Sequence, residues 1–68
     1  MSSNFVDVLI IQSFGDPTTW FVEGYLAGTA EPVNQPIAQL TASSPEHGAM
    51  RARATWGRRI TSIKTIRR

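Results

Sequence analysis

The sequence predicts an all-β fold, a small five-stranded, strongly bent sheet or barrel of SH3-like or OB-like form. Clusters of proline and glycine cut the 68 residues into pieces of strand length. Two of those pieces alternate apolar and polar residues with a period of two. Another is a short apolar run rich in β-branched side chains, which suit a pleated surface.

The first element is Phe5 to Gln12. Its centre, Val8-Leu9-Ile10-Ile11, is continuously apolar, which predicts a strand covered on both faces. Gly15-Asp16-Pro17 then makes a turn. In the second element, Trp20 to Ala30, Trp20, Val22 and Leu26 point one way while Phe21, Glu23, Tyr25 and Ala27 point the other. Gly24 and Gly28 interrupt it, and glycine inside a strand marks a bulge or sharp coil of the kind found at barrel corners. Their Gly-x-x-x-Gly spacing also matches a helix-pairing motif, but no long apolar stretch surrounds it. A loop with two prolines, Glu31-Pro32-Val33-Asn34-Gln35-Pro36, leads to a short third element, Ile37 to Ala42. The next turn is Ser43-Ser44-Pro45-Glu46-His47-Gly48.

Met50 to Trp56 alternates strictly, with Met50, Ala52, Ala54 and Trp56 on one side and Arg51, Arg53 and Thr55 on the other. This predicts a fourth strand. Gly57-Arg58 suits a type II′ hairpin turn with glycine first, and Ile60 to Ile66 makes the fifth strand. A helical reading competes over this stretch. Ser44 can serve as N-cap, Pro45 as the first helical residue and Gly57 as the stop, and Ile60, Ile63 and Ile66 are spaced by three. The rival fold is therefore α+β, a three-stranded sheet with a C-terminal helix.

Residues 1–68 read as a single small domain, an acidic and apolar body over 1–49 with a basic C-terminal hairpin over 50–68. All five acidic residues lie in the first 46 positions and all seven basic residues in the last 18, so a formal charge of −5 up to residue 50 and +7 after it hides behind a net +2. A chain of this size buries only about 60% of its unfolded surface and usually needs a disulfide, a metal or a second subunit as support. With no cysteine and a single histidine, disulfides and ordinary zinc sites are excluded; a homo-oligomer is the expected support, the alternative being a well-idealised small barrel that stands alone. The lack of cysteine fits the cytoplasm. Val8–Ile11 is far too short to cross a membrane, and no basic residue precedes it as in a signal peptide.

The basic hairpin is the main candidate site. On a strand, Arg51 and Arg53 would project from one face about 7 Å apart, close to the spacing of successive phosphates on a nucleic-acid strand. Arg58, Arg59 and Lys64 would extend that surface, and Trp56 at the turn would offer a ring for base stacking. Six of the seven cations are arginine, the residue suited to bidentate phosphate contacts. These residues predict a non-enzymatic nucleic-acid-binding module for DNA or RNA. The bland alternative is a solvated hairpin whose arginines pair with Asp7, Glu23 or Glu31. The functional alternative is a protein-interaction or assembly module, either a homo-oligomer or an inhibitor bound to an acidic protein surface. Its opposed acidic and basic surfaces would then meet between chains, with Trp and Arg as natural interface anchors.

Other chemistry is poorly supported. His47 sits beside Glu46, but adjacent residues rarely converge on a substrate, so no catalytic residue is expected. The carboxylates Asp7, Asp16, Glu23, Glu31 and Glu46 are scattered singly, so no metal site is expected. Phosphate-loop and dinucleotide-binding glycine patterns are lacking, and no cofactor is expected.

Overall fold

The protein is described by a computed structural model covering residues 5–29 and 35–68. Three strands come first: β1 (Val6–Gln12), β2 (Trp20–Leu26) and β3 (Ala38–Ala42). A helix α1 (Pro45–Trp56) follows, then a single 3-10 turn over Gly57–Arg59, then β4 (Ile60–Ile66). The sheet order is β3-β2-β1-β4. β2 is antiparallel to both β1 and β3, whereas β4 is parallel to β1. β3 and β4 thus run the same way on opposite edges, and α1 crosses one face of the sheet to join them.

This open α+β arrangement corrects the expected five-stranded barrel. The sheet has four strands and two separate edges, and the segment expected as the fourth strand is helix, so no hairpin joins it to Ile60–Ile66. Local chemistry explains the outcome. The Ser44 side chain accepts a hydrogen bond from the His47 N–H at 3.0 Å, Pro45 occupies the first turn, and Glu46 sits near the positive end of the helix. Ala49, Met50, Arg51, Ala52, Arg53 and Ala54 are all strong helix formers. Gly57 ends the helix with φ +56°, its N–H bonded to the Arg53 carbonyl, so it is a helix C-cap rather than the first residue of a hairpin turn.

The inward stripe of α1 is Gly48, Ala52 and Trp56, spaced by four as a helix face requires. It packs on Val6, Val8, Ile10, Trp20, Val22 and Ala42, with Ala38, Leu40, Ile60 and Ile63 at the margins. Met50 and Ala54, expected beside Ala52 and Trp56, instead face outward, and Met50 is 65% exposed.

Three smaller expectations are also corrected. β2 ends at Leu26, and Gly28 lies in the following turn with φ +85°. Gly24 pairs regularly with Val8 and Ala38, and the shift in register occurs between β1 and β4 at Val6/Asp7. Ala30, expected at the end of β2, and residues 31–34 of the two-proline loop lie outside the described residues.

Candidate functional site: the second face of the sheet

The structure does not form the hairpin on which the basic surface was expected. Arg51 and Arg53 sit about 200° apart around the helix, and the Arg51 guanidinium donates to the Thr41 carbonyl on β3. Arg58 and Arg59 lie in the 3-10 turn at the foot of the sheet, before β4. Arg67 and Arg68 lie past the other end of β4. Arg67 lies over the Trp20 ring at 5.4 Å and Arg68 over the Phe14 ring at 5.6 Å. The Arg68 backbone N–H and Nε donate to Gln12 at 3.0 and 3.2 Å, tying the chain end to β1. Lys64 is exposed on β4. Trp56 is only 5% exposed, buried against the sheet with no face open to a base.

In place of the arginines of the bland alternative, Asp7 and Glu23 take neutral donors. Asp7 accepts from the hydroxyls of Thr61 and Ser62 and from the Gly28 N–H at 2.9 Å. These bonds, Thr61 first, hold its carboxyl below the ordinary carboxylate value. Asp16 is lowered likewise by Thr18 and Thr19. Glu23 accepts from the Tyr25 hydroxyl at 2.7 Å and from Gln39 Nε2 at 2.6 Å. Glu31 lies outside the described residues.

His47 Nδ1 receives the Ser43 backbone N–H and lies 3.2 Å from Ser43 Oγ. That contact ties the helix entrance to the end of β3, on a surface where both residues are exposed, and it includes no orienting carboxylate. Among the described residues no cluster of His, Cys, Asp or Glu could hold a metal ion, and no helix is long and apolar enough to cross a membrane.

Register builds a different site on the sheet face turned away from α1. Val6, Val8 and Ile10 point under the helix and are fully buried, so Asp7, Leu9 and Ile11 project from the opposite face. Three rows cross that face. Ile11 lies between Phe21 and Ile66, Leu9 between Glu23 and Lys64, and Asp7 between Tyr25 and Ser62. Leu9, Ile11, Phe21 and Ile66 are half-buried, and no element among the described residues packs over them. Tyr25 is 6% exposed yet lies outside the core under the helix. Burial, then its bond to Glu23 and that charge, push its phenol up to about 12.

Of the six residues expected at the site, only Lys64 lies on this face. The partly exposed apolar residues that this face brings together, and that the sequence reading did not single out as a site, are Leu9, Ile11, Phe21 and Ile66. The signal for Leu9 and Ile11 was present in the unbroken apolar run Val8–Ile11, which demands cover on both faces; the helix supplies one. Searches of protein-family models, curated proteins and solved structures find no match to this chain.

Proposed function

We propose that this chain is a non-enzymatic protein-interaction module that docks a polypeptide partner on the second face of its sheet. The observation that carries the reading is Leu9 and Ile11 facing away from the helix in the middle of a four-stranded sheet. A strand apolar on both faces belongs to a sheet covered on both faces, and a contiguous apolar patch rimmed by polar groups marks an interaction site. Here the rim is Asp7, Glu23, Gln39, Ser62 and Lys64. The lack of cysteine fits work in the reducing cytoplasm.

Nucleic-acid binding is less well supported. Single-strand platforms combine exposed aromatic rings with adjacent cations, yet Glu23 lies between Phe21 and Tyr25, where a phosphate backbone would be repelled. The feature that favours it is Phe14, 89% exposed with Arg68 beside its ring, at the end of the sheet rather than on its face.

Photo-crosslinking separates the two. Benzoylphenylalanine replaces Phe21 on the sheet face or Met50 on the outer face of α1. The docking reading expects adducts from position 21 to one polypeptide, identified by peptide sequencing and lost with Ile11→Asp, and few from position 50. Equal adducts from both positions, or adducts to nucleic acid from position 21, overturn it.

A further inference from the structure

We infer that the chain docked on this face is a second copy of the protein, related by a two-fold axis that runs parallel to β1 between two facing sheets. The inference rests on the docking reading above and adds the partner and the register. Its basis is the row Glu23–Leu9–Lys64. An acid and a base flank an apolar centre, each one strand away, so they lie about 10 Å apart across the sheet. A two-fold along β1 exchanges the two sides of the sheet. It sets each Glu23 opposite the Lys64 of the other copy, and Leu9 opposite Leu9. The next row follows the same operation, with Ile11 on Ile11 and Phe21 on Ile66. The face is self-complementary in charge and in apolar character, as an isologous interface requires.

Asp7 obeys the same symmetry and would meet its own copy. It stands at the start of β1, and packed sheets cross at about 30°, so contact centred on Leu9 and Ile11 opens at the Asp7 end. The three hydrogen bonds that Asp7 accepts within its own chain hold it there.

The area sets the strength. Under that axis β2, β1 and β4 face the other copy and β3 lies outside the overlap, so three strands of seven residues span about 14 by 24 Å, roughly 350 Å² on each copy. A standard stable interface buries about 800 Å² per partner. The dimer is therefore reversible, with dissociation in the micromolar range or weaker.

Sedimentation equilibrium on the full chain, from about 10 μM to about 1 mM, tests this. The wild type is expected to self-associate to a dimer. Glu23→Lys makes like charges face each other at both symmetry-related contacts, and Lys64→Glu does the same with the opposite sign. Each variant alone is expected to dimerise roughly tenfold more weakly or worse. An equimolar mixture of the two is expected to recover the dimer, because one copy then presents two bases to two acids. Circular dichroism melts check that each variant is folded.

A dimer whose variants do not complement in the mixture overturns the two-fold register. A wild type that stays monomeric throughout overturns the second copy. The crosslink from position 21 then decides the underlying reading: a different polypeptide there keeps docking and removes only self-association, and no polypeptide there removes both.

Discussion

Gly24 on β2 lies against the six-membered ring of Trp56, so close that a Cβ at position 24 would overlap the indole. The contact fixes where the end of α1 meets the sheet. It also explains the glycine inside β2, where the strand continues without a bulge. The backbone gives up a side chain so that the largest residue of the helix can lie flat on it.

Gly24→Ala is therefore an overpacking change. Such changes cost about 1–3 kcal/mol, and in a domain of this size about 2 kcal/mol lowers the midpoint of thermal unfolding by roughly 10 °C. Trp56→Phe shortens the ring that the added methyl would meet. The double variant is expected to be more stable than the sum of the two single changes allows. Melts of the four chains check the coupling, and simple additivity would mean that the two residues do not share the contact.

Tyr25 is the single tyrosine of the chain, so its ionisation can be read without assignment from phenolate absorbance. The folded protein is expected to titrate near about 12, and the chain unfolded in denaturant near the ordinary value of about 10. The folded pKa is the higher one. The stability linked to Tyr25 is thus fully present below about pH 10 and is lost as pH rises from there through about 12. Glu23→Gln removes the facing charge and is expected to lower the folded midpoint, leaving the part that burial maintains. A folded midpoint at the unfolded value would show the phenol to be solvated.

Asp7 carries the opposite sign. Its folded pKa lies below the usual carboxylate value, chiefly through the Thr61 hydroxyl. Its contribution is present above about pH 4, the unfolded carboxylate value, and is lost as pH falls through the lower folded value. Asp7→Asn is expected to be less stable than wild type at neutral pH, with the difference shrinking as the solution is acidified. Urea unfolding at several pH values below neutrality measures this. A difference that stays constant across the acid range would remove Asp7 from the acid dependence of folding.

Most strands were legible in the sequence, because a short β-branched segment between turn residues has few alternatives. Ile60–Ile66 is a strand as its Thr and Ile content suggested. The helix was obscured by a coincidence of periods. Ala52 and Trp56 are four apart, which satisfies both a strand and a helix, and only Met50 and Ala54 distinguish the two. The caps Ser44 and Gly57 carried the correct answer. Arg51 and Arg53 part for the same reason: residues two apart share a face on a strand but diverge on a helix. The second sheet face was legible only as the unbroken run Val8–Ile11, whose second cover no described element provides.

The places of the cations set an expectation for polyanion binding. Four of the basic residues are sequence neighbours in two pairs, Arg67 with Arg68 just past one end of β4 and Arg58 with Arg59 just before the other. One pair can neutralise about two phosphates. The logarithm of affinity for duplex DNA is then expected to fall with the logarithm of salt at a slope no steeper than about −1.8. A continuous strip of Arg51, Arg53, Arg58 and Arg59 would engage about four phosphates and give about −3.6. Fluorescence anisotropy of labelled duplex DNA across a salt series measures the slope. The shallow slope, with little binding at physiological salt, agrees with a chain whose interaction surface is the sheet face, whereas the steep slope would mean that the cations converge on nucleic acid despite their places in the fold.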